Sequence, residues 1–536
     1  MTWSAQFQTD LKNRESLSFL FRLEFIKTKF GVGSEFIIDR TTQDLQIESD
    51  SVRINGTSVV NQSFNVTFGQ FSINMVGDFR PYREKIEKGQ IAILYVGFEG
   101  YSTSSYQRLI WGMLRNIRKL NFNTYELEFE DALSTLDNRF DTRFDTALTI
   151  HNSQLFYTLG QTTGVTTNFN TNTDTDLYLD DITIFQKDSS GSGLIGIEDP
   201  HNNSGNGGII YAEWTSKTTT TAPAGYLTMT NTGPLAVDYP SLSTSTWPTE
   251  IHAADAVVYN AAQIAEFPPH IIGKIIQSGT GAVLDTLPNQ WSIGGDLASD
   301  IYDYVDADLQ KMYIKASGTT YQWKLAILEA QTEFMRTITD KASALGQWPV
   351  LRQGRISWRG VEDPYDATQP NGIKPIAYEI TDDDIISVIS HDFYDPDVNA
   401  VYGKFLIVHN QSGDTTTIRR TSNLKTLPAG VDYGTRSDGL TYDPDFTRPN
   451  MAVADGARME NYMRLVAEKI TLNTHIHLSR FVAGDNVTLT SAVLYGKNEA
   501  YTYNRRIGMI SRVDIDFGSR SCYVTILMLP TLGYRP

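Results

Sequence analysis

His475 and His477 are the residues best placed to do chemistry. They lie two apart on a predicted strand, so both imidazoles face the same way. Two imidazoles so arranged could bind a metal. No third ligand is recognisable nearby, and the preferred reading is a pair of surface or half-buried histidines. Asn172, Asp174 and Asp176 mimic the start of a calcium loop. The glycine and the distant glutamate that complete an EF-hand loop are absent, so they read as an acid-rich turn. Asp382-Asp383-Asp384 precede a strand and read as a solvated turn. Gly77-Asp78 and Gly484-Asp485 stand out too, and a structural role at the start of a strand fits them better than an active one.

The sequence contains no nucleophile elbow, phosphate loop or zincin motif. Paired carboxylates for glycoside hydrolysis come from distant parts of a chain, and nothing here nominates a pair. The single cysteine, Cys522, sits in a predicted strand, which rules out an intramolecular disulfide and a cysteine-based zinc site. It fits folding in a reducing cytoplasm. The expectation is therefore no catalytic residue, no cofactor and no metal site, and a protein that is not an enzyme. A formal net charge of −17 argues against tight binding to nucleic acid or anionic membranes. The first residues, MTWSAQFQTDLKNRES, hold no apolar stretch of the signal-peptide kind, and no run is long and apolar enough to span a bilayer. The expectation is a soluble chain with no membrane insertion.

The elements follow from periodicity. At 536 residues, with 40% aliphatic and aromatic residues, the chain holds several ordinary cores. Its 27 tyrosines and 25 phenylalanines suit a β-rich protein. Residues 4–14 read as one short helix. Phe19, Phe21, Leu23 and Phe25 alternate, as a strand with one buried side does. Phe64, Val66 and Phe68, then Phe71, Ile73 and Met75, also alternate. The change from even to odd positions at Gly69-Gln70 predicts a bulge or tight turn. With strands around 91–98, 109–117 and 125–130, residues 15–140 supply enough strands for a closed or sandwiched sheet, in a first domain of 1–150. Residues 151–265 are rich in Thr, Ser, Asn and Gly with recurring short apolar patches, and read as a loop-rich β insert.

Residues 266–375 read as a helical middle domain. Pro268-Pro269 opens a helix through Ile276, and 296–310 is a second. In the third, over 322–345, Trp323, Ile327, Ala330, Phe334, Ile338, Ala342 and Leu345 recur at helical spacing. A hairpin turning at Gln353-Gly354 follows. Residues 376–536 are again strands, with one helix near 455–473 carrying Met459, Tyr462, Met463, Val466 and Ile470 on one face. A polar stretch at 432–450 reads as a long loop at an interface.

The two ends look alike. Lys88-Gly89-Gln90-Ile91 leads on to Gly112-Met113-Leu114, and Ala483-Gly484-Asp485-Asn486 leads on to Gly508-Met509-Ile510 at nearly the same spacing. Each copy continues through a polar turn into a further strand, at Tyr125 or at Tyr523. The expectation is that 15–145 and 376–530 superpose as two β-barrels, Gly89 over Gly484 and Gly112 over Gly508.

These segments resemble baseplate or tail-tip hub proteins of long-tailed bacteriophages. The resemblance covers 455–473, Phe481 to Leu489, Gly508-Met509-Ile510, Phe71 to Asp78, Lys88 to Ile91, Trp111 to Leu114, and the layout of 322–361; the insert lies outside it. It implies a mainly β fold with two tail-tube-like barrels and a homotrimer whose six barrels form a pseudo-sixfold ring. It also implies a distal tail or tail tube protein above, a tip, spike or fibre-bearing protein below, and a tape measure protein in the lumen. DNA would pass through without tight binding. The place implied is the virion tail tip, assembled in host cytoplasm. The last predicted strand runs close to Arg535-Pro536, so no fused spike, lysozyme or peptidase domain is expected to follow. The insert and the 432–450 loop are expected outside the ring, the inner wall acidic or neutral, and Arg115, Arg118 and Arg512 at subunit contacts. The rival readings are a tail-associated cell-wall or polysaccharide hydrolase, and a carbohydrate-binding adhesin using the insert.

Overall fold

Phe19, Phe21, Leu23 and Phe25 all fall on the buried face of strand β1 (Phe19–Ile26) in the computed structural model, as their period of two requires. The structure describes residues 3–13, 18–26, 34–59, 66–131, 162–170, 174–185, 193–198, 209–229, 251–252, 256–266, 323–327, 347–360, 376–393, 400–405, 416–421, 440–442, 468–495 and 502–528. Among these residues the protein is mainly β, as its sequence predicts. Helix α1 (Ala5–Lys12) is capped by Ser4, whose hydroxyl accepts the Phe7 N–H at 3.2 Å. Phe7 and Leu11 anchor it in the core.

The first half of the chain continues with β2 (Ser34–Ile38), β3 (Leu45–Ile47), β4 (Arg53–Asn55), β5 (Ser58–Val59), β6 (Val66–Thr67), β7 (Gln70–Gly77), β8 (Ile91–Phe98), β9 (Gln107–Lys119) and β10 (Thr124–Asp131). Their order in the sheet is β2-β1-β8-β9-β10-β7, with β3 and β4 both on the outer side of β7. The break expected at Gly69-Gln70 separates β6 from β7. The Asp131 carboxylate accepts the Gly69 N–H there at 2.7 Å.

The insert holds β11 (Thr162–Gly164), β12 (Phe169–Asn170), β13 (Asp176–Leu179), β14 (Gly193–Glu198), β15 (Ile209–Thr221), β16 (Ala224–Met229), β17 (Ile251–His252) and β18 (Val257–Glu266). Most of them form one 7-stranded sheet over a separate core that includes Leu177, Ile195, Trp214 and Val258. Its seventh strand is β19 (Trp323–Ile327), paired to β18. Next come β20 (Gln347–Arg352) and β21 (Arg355–Gly360), a two-residue hairpin. Gln353 and Gly354 both take positive φ, 50° and 68°, as the tight turn that matches strand twist demands.

The last part comprises β22 (Tyr378–Thr381), β23 (Ile385–Phe393), β24 (Ala400–Phe405), β25 (Thr416–Thr421), β26 (Leu440–Tyr442), β27 (Glu468–His475), β28 (Asn486–Tyr495), β29 (Thr502–Asp516) and β30 (Ser521–Met528). The order β23-β27-β30-β29-β28-β22 forms a second half, and β24 to β26 form a small sheet of their own. β22 and β23 lie at opposite ends of that order. They are joined directly by the single 3₁₀ turn Asp382–Asp384. The two halves share one 14-stranded sheet and one hydrophobic core, because β4 pairs antiparallel with the end of β29.

The repeat is present in strand order, in register and in its irregularity. β8-β9-β10-β7 and β28-β29-β30-β27 run in the same order. Ile91 faces Met113 and Ala92 faces Gly112; Asn486 faces Met509 and Val487 faces Gly508. Gly89 donates to Leu114 O at 2.8 Å, and Gly484 donates to Ile510 O at 2.7 Å. Leu114 pairs Phe129 next to a bulge, and Ile510 pairs Ile526 next to a bulge at the same place. Gly89 thus corresponds to Gly484, and Gly112 to Gly508.

Several expectations are corrected. Trp323–Ile327, expected to open a helix, is a strand, because the edge of β18 offers its backbone a ladder. Ile470, expected on a helix, lies in β27. Residues Glu468, Ile470, Leu472 and Thr474 are buried there with period two, and the helical spacing upstream did not carry on. Residues 440–442, expected in a loop, form β26 beside β24. The helices expected near 268–276 and 296–310, and the remainders of those at 322–345 and 455–473, lie outside the described residues.

Candidate functional site

Two devices tie the halves together. One is the β4–β29 seam. Asp514, Ile515 and Asp516 pair with Asn55, Ile54 and Arg53, and Gly56 donates to Val513 O at 3.1 Å. The hairpin that follows β29 then inserts Phe517 edge-on against Phe19 and Phe21, with ring centroids 5.1 Å and 4.9 Å away. The other is the β20–β21 hairpin. At its tip, Gln353 Oε1 accepts the Trp3 N–H at 3.0 Å, while the Trp3 indole donates to Arg108 O at 2.9 Å. At its base, the Trp348 indole donates to Ala483 O at 3.3 Å.

The base is held by an ion pair. Arg359 is 1% exposed, and its Nε donates to Asp485 Oδ1 at 2.9 Å. Its Nη1 donates to Trp358 O at 2.8 Å. Asp485 also accepts the Val482 N–H at 3.0 Å. Gly484 has φ +99°, and a Cβ there would lie 2.6 Å from Arg359 Cβ. Gly484-Asp485 therefore leads into β28 and seats a buried cation, a structural role as expected from sequence. Gly77-Asp78 differs: Gly77 ends β7, and Asp78 makes an exposed pair with Arg80 at 2.8 Å.

The histidine pair is split. His475 ends β27, whereas His477 sits in the 3₁₀ turn Ile476–Arg480, so the strand expected to align them stops between them. His477 is buried with Nε2 3.0 Å from Asp384 Oδ1. Asp384 is buried as well, which corrects its reading as part of a solvated turn; Asp382 and Asp383 remain exposed. Burial alone would raise the Asp384 pKa. The His477 ring and the N–H and hydroxyl of Thr381 outweigh it and hold the carboxyl at about 2. The pair pins the β22–β23 corner to the end of β27. Asp176 begins β13 and accepts from the Thr228 hydroxyl at 3.1 Å, so it is not in a turn; Asp174 precedes it, and Asn172 lies outside the described residues. Cys522 is buried in β30, and burial pushes its thiol well above the usual range.

Sequence reasoning missed one cluster. Glu468, at the start of β27, lies 2.8 Å from Arg506 Nη2 and 2.9 Å from His391 Nε2, and the Tyr503 hydroxyl donates to it. The Arg506 guanidinium stacks over the Tyr503 ring at 4.8 Å. Glu468, Arg506 and Tyr503 are all buried, so the cluster locks β23, β27 and β29 together. No local signal marks it, because the three elements are far apart in sequence. Arg115, Arg118 and Arg512 pair within the chain to Glu130, Glu126 and Asp514. A cavity of about 60 Å³ lies at the seam, bordered by Trp3, Gly69, Asp131, Leu351 and Arg480. Its size suits a few ordered waters. Among the described residues, no three His, Cys, Asp or Glu side chains converge as a metal set, and no helix is long and apolar enough to cross a membrane.

No protein-family model matches the chain, and no curated protein does. Among solved structures, the chain is similar to the tail protein from Neisseria meningitidis MC58, at 10% identity and TM-score 0.38, over 96% of this chain and 97% of that one. It is similar to the 43 kDa tail protein of prophage MuSo2 from Shewanella oneidensis, at 10% identity and TM-score 0.36, over 95% and 97%. It is also similar to the prophage tail protein gp18 from Listeria monocytogenes EGD-e, at 10% identity and TM-score 0.34, over 95% and 94%.

Proposed function

We propose that this chain is a structural virion protein, the hub of a phage tail tip or baseplate. Three copies form a ring of six similar units that continues the tail tube, encloses the DNA channel and adapts sixfold to threefold symmetry. The observation that carries the reading is the four-strand repeat, alike in order, register and bulge at the two ends of the chain and joined into one sheet. A chain with two like units needs half as many copies as the ring has positions. The direct link from β22 into β23 supports a barrel-like second unit. We read the protein as a scaffold and not an enzyme: its buried charged groups, Arg359 with Asp485 and Glu468 with Arg506, brace strands. With a net charge of −17, the channel wall is acidic or neutral and lets DNA slide. A distal tail or tube protein sits above it, and a tip, spike or fibre-bearing protein below.

Copy number in purified particles tests this. Quantitative mass spectrometry gives three chains per ring of six tube subunits if the reading holds, and six per ring if it fails. Zymography of the purified chain on cell-wall and polysaccharide substrates gives no clearing if it is a scaffold. A cleared band assigns it to the hydrolases.

A further inference from the structure

The seam inside the chain is a template for a contact that the described residues of one copy leave unfilled. In the second half, the end of β29 leans out past β28 and pairs with β4, the strand outside β7, and Phe517 at the hairpin tip is buried. In the first half, β9 leans out past β8 in the same way. The ladder between them ends at Leu114, and on that side no strand covers β9 beyond it among the described residues. Its hairpin tip carries Phe122, 84% exposed, and Leu120, 44% exposed.

The other side of the template is also present and open. Arg53, Ile54 and Asn55 of β4 face Ser72, Phe71 and Gln70 of β7. Ser390, His391 and Asp392 of β23 face Thr471, Ile470 and Lys469 of β27, the corresponding positions of the repeat. Ile47 of β3 faces Met75 as Ile385 of β23 faces Thr474. β23 therefore stands where β3 and β4 stand, yet its outer edge carries no strand among the described residues. It exposes Ile386, Val388, Ile389 and Phe393. An apolar edge with a free row of backbone groups is a pairing template.

We propose that the β9–β10 hairpin of one copy docks on the outer edge of β23 of the next, head to tail. The contact repeats the internal seam, with Arg118 opposite Asp392, Lys119 opposite His391 and Leu120 opposite Ser390. The register follows from the equivalence of Arg118, Lys119 and Leu120 to Asp514, Ile515 and Asp516. Its charges agree with it, since Arg118, which already pairs with Glu126 of its own chain and is still exposed, is opposite in sign to the exposed Asp392. By the same equivalence Asn121 takes the place of Phe517, and the exposed Phe122 beside it is the apolar residue that the hairpin tip brings to the contact. The contact is heterologous, so it propagates from copy to copy until a ring closes. The proposal rests on the ring reading for its occupant, a second copy of this chain.

The test is disulfide trapping in the full chain, whose own cysteine is buried. Two double variants are made, Arg118→Cys with Asp392→Cys and Leu120→Cys with Ser390→Cys, and oxidised at rising protein concentration. Reductant-sensitive multimers in the double variants, absent from each single variant, are the expected result. Three chains in the closed species support the ring reading as well. Another number keeps this surface and overturns the trimer. Assemblies that form without any cross-link, or no cross-link at any concentration, overturn the surface. Charge exchange gives an answer independent of cysteine: Arg118→Asp and Asp392→Arg each weaken association at least tenfold, and the double variant restores it. If the double variant associates no better than the singles, the assigned register is wrong.

Discussion

Asp485→Ala removes the carboxylate that pairs with a buried cation. The Arg359 guanidinium keeps its contacts with Ser357 and Trp358 O but loses the carboxylate at 2.9 Å, with almost no solvent to replace it. Breaking a buried pair by removing one partner costs about 3–5 kcal/mol. Loss of the Val482 N–H acceptor adds about 1 kcal/mol. Asp485→Asn leaves an acceptor for that N–H and loses the charge, so it falls about 1 kcal/mol short of the alanine variant. The cost lands on the β20–β21 hairpin, which these residues fasten to β28. Native-state hydrogen exchange over 347–360 reads it directly. A loss of about 4 kcal/mol means roughly a thousandfold rise in the opening of that segment. Replacing both residues, Arg359→Met with Asp485→Leu, costs less than the sum of the two changes, by about 1–3 kcal/mol of coupling. Exchange that rises less than about fivefold in Asp485→Ala, roughly 1 kcal/mol, with no coupling in the cycle, would refute the assignment of this pair as the clamp.

The repeat makes paired predictions. Gly89 and Gly484 both have positive φ, but a Cβ meets nothing within 4 Å at Gly89 and meets Arg359 and Trp348 at Gly484. Gly89→Ala should cost about 1–2 kcal/mol and Gly484→Ala clearly more, measured by urea unfolding. Phe517→Ala should cost about 3–5 kcal/mol, while Phe122→Ala in the isolated chain stays within about 0.5 kcal/mol of the parent. Equal losses at the two tips would contradict the difference in their surroundings. Asp384 has its folded pKa depressed to about 2, so its stabilisation is fully present above the ordinary aspartate value of 3.8 and fades as pH falls through about 2. Asp384→Asn should therefore lose about 2 kcal/mol near neutral pH and converge with the parent toward pH 2, read from unfolding at a series of pH values.

Much of the two halves was legible because their strands are amphipathic. Phe19 to Phe25 and Phe71 to Met75 announce themselves by period two, and the glycines at 89, 112, 484 and 508 mark the repeat. The Gln353-Gly354 turn was legible from its flanking apolar runs. The seam was not. Nothing in Arg53-Ile54-Asn55 names Asp514–Asp516 as its partner, because a three-residue ladder between distant segments leaves no local period. Trp323–Ile327 and Glu468–Ile470 were misread for a related reason: short apolar runs fit helical and strand spacing alike, and only a neighbouring edge decides. Asp384 looked solvated among three acids, and its burial depends on His477, which arrives from the 3₁₀ turn after β27. The Glu468 cluster needed β23, β27 and β29 together before any of its residues had a role.

The account turns on how many copies close the ring and how alike its positions are. Electron cryomicroscopy of purified particles, with the ring that contains this chain reconstructed without imposed symmetry, measures both. The account predicts three chains around the channel, their first and second halves alternating at six similar positions. A ring of two or six chains, or halves that do not occupy equivalent positions, would contradict it.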